Sequence, residues 1–199
     1  MIELPVMEHF YTVQGEGAYS GVAAYFIRLG GCDVGCVWCD VKDSWDADAH
    51  QKFAIDEIVS WPKKANANLV VITGGEPLMY DLHPLTEALR SAGLKVNIET
   101  SGAHPLTGDF DWITLSPKKF KQPLPEICIH AHELKIIVFN KSDFAWAEEY
   151  AEKVSNMCQL YLQPEWDKSE AMLPLIIEYV KLNPQWRISL QTHKFMQIP

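Results

Sequence analysis

The 199-residue sequence lacks the features that define several protein classes. No apolar run approaches the roughly 20 residues needed to cross a bilayer, and Met1–Pro5 shows neither the basic nor the apolar part of a signal peptide. No window is rich in Lys and Arg, and 17 basic against 26 acidic residues leave a formal charge of −9. Neither a membrane nor a nucleic acid is therefore expected as a partner.

Linkers, low-complexity segments and internal repeats are also missing. A chain of this length can bury one core but falls short of two, so we expect a single domain over residues 1–199, located in the cytoplasm. A disulfide framework is not expected, because the five cysteines are odd in number and three crowd into eight positions. The other two, Cys128 and Cys158, are expected to pack as small apolar side chains.

Short apolar runs that alternate with helical patterns predict an α/β fold with a mostly parallel sheet. The predicted strands are 22–29, 69–73, 96–98, 112–115, 134–138, 160–162 and 186–190. Four helices are predicted. The first has Ile55, Ile58 and Val59 on one face before Pro62, and the second runs from Leu82 to Gly93. The third is capped by Asp143 and carries Phe144, Ala147, Ala151 and Val154, and the fourth carries Leu173, Ile176, Ile177 and Val180. Complete eight-unit barrels take about 250 residues, so we expect a shortened, incomplete (β/α) barrel of the TIM type with irregular first and third βα units.

Polar clusters follow six of these strands, from Gly74-Gly-Glu-Pro77 to Gln191-Thr-His-Lys194. In a parallel α/β fold the carboxyl ends of the strands gather at one edge, where ligands bind. A single cluster of this kind would be an ordinary turn. Six of them predict a shared site.

The strongest motif is Cys32-x-x-x-Cys36-x-x-Cys39. Glycines around it allow the tight turns by which three sulfurs can surround one metal centre. Three thiolates are one fewer than a closed zinc site or an ordinary iron–sulfur cluster uses, which leaves one iron of a 4Fe–4S cluster open to a small molecule. From spacing alone, a zinc site with His50 or Cys128 as fourth ligand is the alternative.

A second motif is Gly74-Gly75-Glu76-Pro77, directly after a predicted strand. Its two glycines expose backbone N–H and C=O groups to a ligand that approaches edge-on, and Glu76 can receive an ammonium group. By itself, such a segment is often a plain strand-to-helix turn. One βα unit after a three-cysteine loop, it is much more specific.

With Trp38 before the third cysteine, the two motifs resemble the radical S-adenosylmethionine superfamily. The resemblance implies a 4Fe–4S cluster on the catalytic Cys32, Cys36 and Cys39, with S-adenosylmethionine on the open iron. Reductive cleavage would give a 5′-deoxyadenosyl radical, so the cofactor carries the one-electron chemistry. The residues implied to bind the cofactor are Trp38, Asp40, Gly74, Gly75, Glu76, Glu99, Ser101, Ser116, Lys118 and Gln163.

Further segments, spread over almost the whole chain, look like the 7-carboxy-7-deazaguanine synthase family. They are Phe10-x-x-x-Gln14-Gly-Glu-Gly17, Arg28, Cys39-Asp40, Glu99-Thr-Ser-Gly102, Ser116-Pro-Lys118, Glu133-Leu-Lys135, Gln163-Pro164 and Leu190-Gln-Thr-His-Lys194. This resemblance implies a lyase that contracts the ring of 6-carboxy-5,6,7,8-tetrahydropterin with loss of ammonia, on the route to queuosine and other 7-deazapurines. It also implies Mg2+, a homodimer and an electron donor such as flavodoxin. The implied substrate-binding residues are Gln14, Gly15, Glu16, Gly17, Arg28, Gly75, His193 and Pro199.

Plain chemistry agrees with several of these roles. Gln14 and Glu16 offer an amide and a carboxylate to the donor and acceptor edge of a pterin. Arg28 can bind a carboxylate in a bidentate manner, although a lone strand Arg more often forms a surface ion pair. His193 can hydrogen-bond the substrate or transfer a proton. Pro199 follows closely, so we expect its carboxylate to reach the site and a C-terminal tag to impair turnover.

One position departs from the family pattern, because Val41 stands where Thr is common. An isopropyl group cannot ligate a hard cation, which takes oxygen ligands. The Mg2+ site, assigned to Asp40 and the Val41 position, therefore needs an oxygen from Asp40, Asp43 or Ser44, or mainly from substrate and water. Lys118, besides its implied cofactor role, and Lys135 have the alternative role of neutralising acidic neighbours only.

Two alternatives remain open at this point. The first is an activase that installs a glycyl radical on a partner protein, although segments 14–17 and 191–194 suit a pterin better than a docked protein. The second is a zinc-stabilised α/β binding module.

Overall fold

The computed structural model describes residues 2–199. The strands are β1 (Glu3–Val13), β2 (Ala23–Leu29), β3 (Lys52–Ala54), β4 (Leu69–Gly74), β5 (Lys95–Thr100), β6 (Trp112–Leu115), β7 (Glu133–Val138), β8 (Gln159–Pro164) and β9 (Trp186–Ile188). The helices are α1 (Ile55–Lys64), α2 (His83–Ser91), α3 (Pro125–His130), α4 (Asp143–Ala151), α5 (Ser169–Leu182) and α6 (Thr192–Met196). None of the helices in residues 2–199 is both long and apolar enough to cross a membrane.

The strands of residues 2–199 form one sheet in the order β3-β1-β2-β4-β5-β6-β7-β8-β9. β2 and β4 to β9 are parallel neighbours, whereas β1 pairs antiparallel with both β2 and β3. In the part of the chain that the structure describes, β3 and β9 do not pair with each other, so the sheet stays open. This confirms the prediction of a shortened, incomplete barrel with mostly parallel strands.

Strand β4 shows why the sheet forms where the sequence predicts it. Val70 and Ile72 face the helices, while Leu69 and Val71 pack with Phe26 on the inner side of the barrel. All of these β4 side chains are buried. An uninterrupted apolar run is what a parallel strand covered on both faces requires.

Three of the helices agree with the prediction, wholly or in part. α2 buries Leu85 and Leu89 and is followed by Gly93, whose φ of +81° suits the left-handed turn after a helix. α1 does not stop before Pro62 but continues through it to Lys64, with Pro62 buried. In α5, Ile176 is buried as predicted but Ile177 is 40% exposed.

Helix α4 also differs from its prediction. Its N-cap is Ser142, and Asp143 is the first helical residue. The Asp143 carboxylate accepts the backbone N–H groups of Phe139 and Asn140, both 2.8 Å away, and pairs with Lys119. Asp143 therefore fixes the loop before the helix, and Val154 lies beyond the helix end.

The two βα units predicted to be irregular are irregular. Between β2 and β4 the chain forms the cysteine loop, two short 3-10 turns, β3 and α1. Between β5 and β6, residues 101–111 of the described chain contain no helix. Both departures place loops rather than helices next to the cysteines.

The two faces of the sheet differ in polarity. A large apolar core lies between the sheet and its helices, and it includes the buried thiols of Cys128 and Cys158, as predicted. The apolar cluster of the inner face lies around β2 and β4. From β5 onward this face carries buried polar side chains, namely Asn97, Thr114, Glu133, Lys135 and Gln163. The barrel interior is therefore a polar chamber rather than a packed core.

We expect Leu85→Ala to lower the free energy of unfolding by about 2–5 kcal/mol, because it leaves a cavity in the core outside the sheet. Urea unfolding measures the change. Leu182→Ala, at a position 80% exposed on the same kind of element, is the matched control and should change the unfolding free energy by about 0.5 kcal/mol or less. Equal losses in the two variants would contradict this assignment of the core.

Candidate active site

A cavity of about 250 Å³ opens at the carboxyl ends of the strands. It brings together most of the residues singled out from the sequence. Those that line it are Gln14, Gly15, Glu16, Arg28, Cys32, Cys36, Trp38, Cys39, Asp40, Val41, Gly74, Gly75, Glu99, Ser101, Ser116, Lys118, Gln163, His193 and Pro199. Gly17 and Glu76 do not line it. The polar clusters after the strands thus form one site, as their positions predict.

The cysteine loop forms one wall of this cavity. Its backbone is held by hydrogen bonds from Gly31 N–H to the Ser44 carbonyl (2.6 Å) and from Cys32 N–H to the Trp45 carbonyl (3.2 Å). Burial, together with the neighbouring Cys39 and Cys32, raises the pKa of the Cys36 thiol to about 11 against the opposing effect of Lys118. Cys32 and Cys39 pack against the buried cluster that contains Cys36, so the three thiols are neighbours.

The three sulfurs do not share a single-ion site. In residues 2–199, no three Cys, His, Asp or Glu side chains are arranged to hold one metal ion. Sulfurs on one zinc ion must converge tightly, because each Zn–S bond is about 2.3 Å long. The proposed fourth ligands are also elsewhere, since the His50 ring contacts the Asp43 carbonyl at 2.8 Å and Cys128 is buried in the outer core. Three thiols without a fourth protein ligand fit a 4Fe–4S cluster that leaves one iron open.

The Gly74-Gly75 turn lies directly on the cysteine loop. A Cβ on Gly75 would overlap the Gly31 carbonyl oxygen and come within 2.6 Å of Cys32 Cβ. Hydrogen bonds from Gly75 N–H to the Leu29 carbonyl (3.1 Å) and from Glu76 N–H to the Gly31 carbonyl (2.9 Å) hold the two segments together. Glycine is required because any larger residue would separate the turn from the cysteines.

Glu76 lies behind this turn instead of facing the cavity. It is 1% exposed, and its carboxylate accepts hydrogen bonds from Leu78 N–H (3.0 Å), Thr100 Oγ1 (2.6 Å), Ser101 N–H (2.8 Å) and Ser101 Oγ. The expectation that this carboxylate receives an ammonium group does not match that placement. A ligand in the cavity meets the backbone of Gly74 and Gly75.

Gln14 likewise uses its side chain within the protein. Its Nε2 donates to Glu99 Oε1 (2.7 Å), and its Oε1 accepts the N–H groups of Gly15 (2.8 Å) and Glu16 (3.3 Å). The amide thus fixes the backbone of segment 14–16, so Gln14 acts as a positioning residue for its neighbours.

Glu16 and Lys135 form a buried ion pair in the cavity wall. Gln191 Nε2 also donates to Glu16 (2.9 Å), and Glu99 lies 3.8 Å from the Lys135 ammonium. Burial alone would raise the pKa of Glu16, but Lys135 and the hydrogen bonds from Lys135, Gln191 and Gln163 lower it to about 2. Burial would lower the pKa of Lys135, and the surrounding carboxylates raise it instead. Both groups are therefore charged at neutral pH.

Arg28 lies at the cavity edge, where it forms an ion pair and can also bind a carboxylate, the two roles considered from the sequence. Its Nε donates to Glu8 at 2.6 Å in an ion pair. Among the described residues no side-chain hydrogen bond uses its two Nη groups, so they remain available to a ligand in the cavity.

His193 contacts the segment before β2. A Cβ on Gly15 would overlap the His193 ring, so glycine at position 15 allows the imidazole to enter the cavity wall. Burial lowers the pKa of His193, with Lys194 acting in the same direction against nearby carboxylates. The ring is therefore neutral at physiological pH. Gly17, with φ of +61°, lies outside the cavity and donates its N–H to Ser189 Oγ at 2.9 Å.

Lys118 and Ser116 lie close to the cysteines. The Lys118 ammonium donates to Ser116 Oγ (2.6 Å) and lies 5.6 Å from the centre of the Trp38 ring. Burial lowers the pKa of Lys118, although Cys36 opposes that effect. This pair offers a cation and a hydroxyl to an anionic ligand group.

Of the three oxygen donors considered for Mg2+, only Asp40 lines the cavity. Its carboxylate is 3.5 Å from the Lys194 ammonium. Ser44 is fully buried and donates its hydroxyl to the Val41 carbonyl at 2.6 Å.

Several cavity residues were not identified as site residues from the sequence. Lys135 was expected only to neutralise an acid, which it does for Glu16, but that ion pair is central to the site. Gln191 belongs to segment 191–194, which suits a pterin by its sequence, but the sequence does not show its hydrogen bond to Glu16. The alternation of side chains along a strand could have identified Lys135, because Glu133, Lys135 and Ile137 share one strand face. That face can be expected to point into the barrel.

Replacing Glu16 should change how stability depends on pH. Because its folded pKa of about 2 is below the reference value of 4.5, the ionised carboxylate stabilises the fold above pH 4.5. That stabilisation, on the order of 3 kcal/mol, is lost as the pH falls from 4.5 toward 2. We expect Glu16→Gln to lose most of this acid dependence in urea unfolding at a series of pH values. Glu178→Gln, at an exposed position, should retain it.

Comparison with known proteins gives a consistent result. The model of the radical SAM superfamily matches residues 26–131. A protein of Flavobacterium psychrophilum named 7-carboxy-7-deazaguanine synthase is 57% identical over 98% of this chain and 93% of its own length. The protein of that name from Escherichia coli K12 is 34% identical over 99% of this chain and 100% of its own. A crystal structure of QueE from Escherichia coli superposes with a TM-score of 0.85 at 33% identity, over 94% of this chain and 93% of that one.

These similarities extend over nearly the whole chain, and the superfamily model spans both the cysteine loop and the glycine turn. The chain belongs to the 7-carboxy-7-deazaguanine synthase family of the radical SAM superfamily.

Proposed function

We propose that this chain converts 6-carboxy-5,6,7,8-tetrahydropterin to 7-carboxy-7-deazaguanine with loss of ammonia, in queuosine or other 7-deazapurine biosynthesis. The observation that carries the proposal is one cavity with three neighbouring thiols on one wall and the Glu16–Lys135 pair on another. The names of the family relatives support it. The activase alternative needs a docked protein, and no feature of the cavity favours one.

Cys32, Cys36 and Cys39 would hold the 4Fe–4S cluster, and the Gly74-Gly75 backbone with Ser101 would contact S-adenosylmethionine. When bound, the two groups supply one-electron chemistry that no side chain of the protein provides. The Lys118 ammonium and the Ser116 hydroxyl are suited to the carboxylate of the methionyl group. Trp38, Asp40, Glu99 and Gln163 are the remaining cofactor-binding residues that we propose.

The substrate would be held on the opposite wall. The free Nη groups of Arg28 match the geometry of the pterin carboxylate. The ionised Glu16 accepts N–H groups of the pterin ring. The neutral His193 can exchange a proton with the same ring. Gln14 supports this edge through the backbone of Gly15 and Glu16. Such positioning matters, because a displacement of about 1 Å can cost on the order of 10²-fold in rate.

Mg2+, the electron donor and the homodimer remain part of the proposal. Asp40 is the protein oxygen we assign to Mg2+, with substrate and water as the other ligands, because Val41 offers none. An electron donor such as flavodoxin would reduce the cluster. The five free thiols suit the reducing cytoplasm, and we propose that residues 1–199 function there as one domain.

Anaerobic turnover with the pterin, with and without Mg2+, tests this function. We expect 7-carboxy-7-deazaguanine, ammonia and 5′-deoxyadenosine from the wild type, at a higher rate with Mg2+. Cys36→Ala should lack both the broad visible absorbance of the cluster and all S-adenosylmethionine cleavage. Cys128→Ala, a buried thiol outside the cavity, is the control and should keep both. A wild type that cleaves S-adenosylmethionine but forms no deazaguanine would contradict the proposed substrate.

Arg28→Ala should chiefly weaken substrate binding, because it removes a bidentate partner of the carboxylate. We expect the KM for the pterin to rise by on the order of 10- to 100-fold, with uncoupled S-adenosylmethionine cleavage retained. Arg187→Ala, in which the replaced arginine pairs with Gln159 outside the cavity, should leave KM unchanged. Loss of uncoupled cleavage in Arg28→Ala would show that Arg28 does not act on the substrate.

A further inference from the structure

A second, much smaller cavity lies inside the barrel, behind the wall of the main one. Its volume is about 10 Å³, close to what a single water-sized guest requires. Gln14, Glu16 and Glu99 separate the two cavities, since they line both. The remaining lining residues are Tyr19, Val71, Asn97, Trp112, Thr114 and Glu133. We call this space the inner chamber.

The inner chamber contains acceptors that lack donors. Asn97 is 4% exposed, and its Oδ1 is buried with no hydrogen-bond partner. Glu133 is 2% exposed, and both N–H groups that reach it, from Ala18 (3.0 Å) and Trp112 (3.2 Å), bind Oε2. Its Oε1 receives no hydrogen bond from residues 2–199. Leaving a buried acceptor such as Asn97 Oδ1 unpaired is costly, and a guest that offers a donor or positive charge would satisfy it.

The charged side chains that line the inner chamber are all acidic. Three carboxyl groups line it, those of Glu16, Glu99 and Glu133, and Lys135 is the cation that pairs with the first two. Burial raises the pKa of Glu133, and a cation bound beside it would favour its ionised form. The carboxyl groups do not form a metal site, since no group of three acidic, His or Cys side chains in the described chain is arranged to coordinate one ion. A weakly charged guest held by mixed amide, hydroxyl and carboxylate oxygens therefore fits better than a divalent metal ion.

We propose that the inner chamber binds one water-sized monovalent cation through Asn97 Oδ1, Thr114 Oγ1 and Glu133. Two sources have this chemistry: K+ from the medium and the ammonium ion released by the reaction. The assignment of ammonium as the source rests on the proposed function. Because one wall of the inner chamber faces the substrate, the chamber is the nearest acceptor-rich space for the released ammonium ion. Either ion balances the buried carboxylates without a change in the fold.

Tl+ substitutes for both ions and is visible by anomalous scattering. In crystals of the anaerobically prepared, cluster-loaded protein grown with Tl+ in place of K+, we expect an anomalous peak in the inner chamber. The peak should vanish in Asn97→Leu crystals. A wild-type chamber that contains only water, without anomalous signal, would overturn the proposal even if the variant cannot be prepared.

Thermal unfolding of the same protein distinguishes the sources. At a cation concentration near 100 times Kd, K+ should raise Tm by roughly 5–10 °C over choline chloride of equal ionic strength. An equal or larger rise with ammonium supports capture of the product, whereas a rise with K+ alone supports the medium as source. Thr86→Val, which removes a buried hydroxyl outside the barrel, should keep the rise. If neither ion raises Tm, the proposal is overturned. Turnover of the pterin, measured in parallel, tests the proposed function separately.

Discussion

The buried Glu16–Lys135 ion pair is the interaction on which the interior of this barrel depends. It joins residues 119 positions apart, and Gln191 joins the same carboxylate from 175 positions away. Taking two charges out of water is expensive, and the cost is offset only when the pair is close and its remaining acceptors are used. Here both conditions hold. Removing either partner would leave an uncompensated charge inside the barrel, so the segment before β2, the strand β7 and the C-terminal tail must fold together.

This dependence explains why stability and function occupy opposite faces of one sheet. The outer face buries an apolar core against the helices, which supplies most of the favourable free energy of folding. The inner face is freed from that task and can hold charged and amide side chains around a cavity. A chain of 199 residues buries one large apolar core, and the open barrel does not need a second one in its interior. Its polar interior is therefore compatible with the small size of the chain.

Local patterns predict the fold because they record which faces are buried. The apolar run of β4 and the leucine spacing of α2 specify their elements directly. The continuation of α1 through Pro62 depends on burial of that residue, which a local pattern does not show. Long-range pairing is invisible in the same way. The sequence places Glu16, Glu76 and Arg28 in the site region, but only the structure shows that Glu76 is saturated by donors from the end of β5.

The two glutamates at the ends of this site serve different purposes, and the difference has a physical cause. Glu76 is surrounded by donors of its own chain, so its position is set by β5 before any ligand arrives. Through it, the Gly74-Gly75 backbone is held rigidly against the cysteine loop. Such preorganisation removes the entropic cost of fixing the turn when a ligand binds. Glu16 also accepts hydrogen bonds from its own chain, but it lines the cavity, so the carboxylate that Lys135 holds ionised faces a ligand there. The site thus uses one buried carboxylate to fix geometry and the other to supply charge.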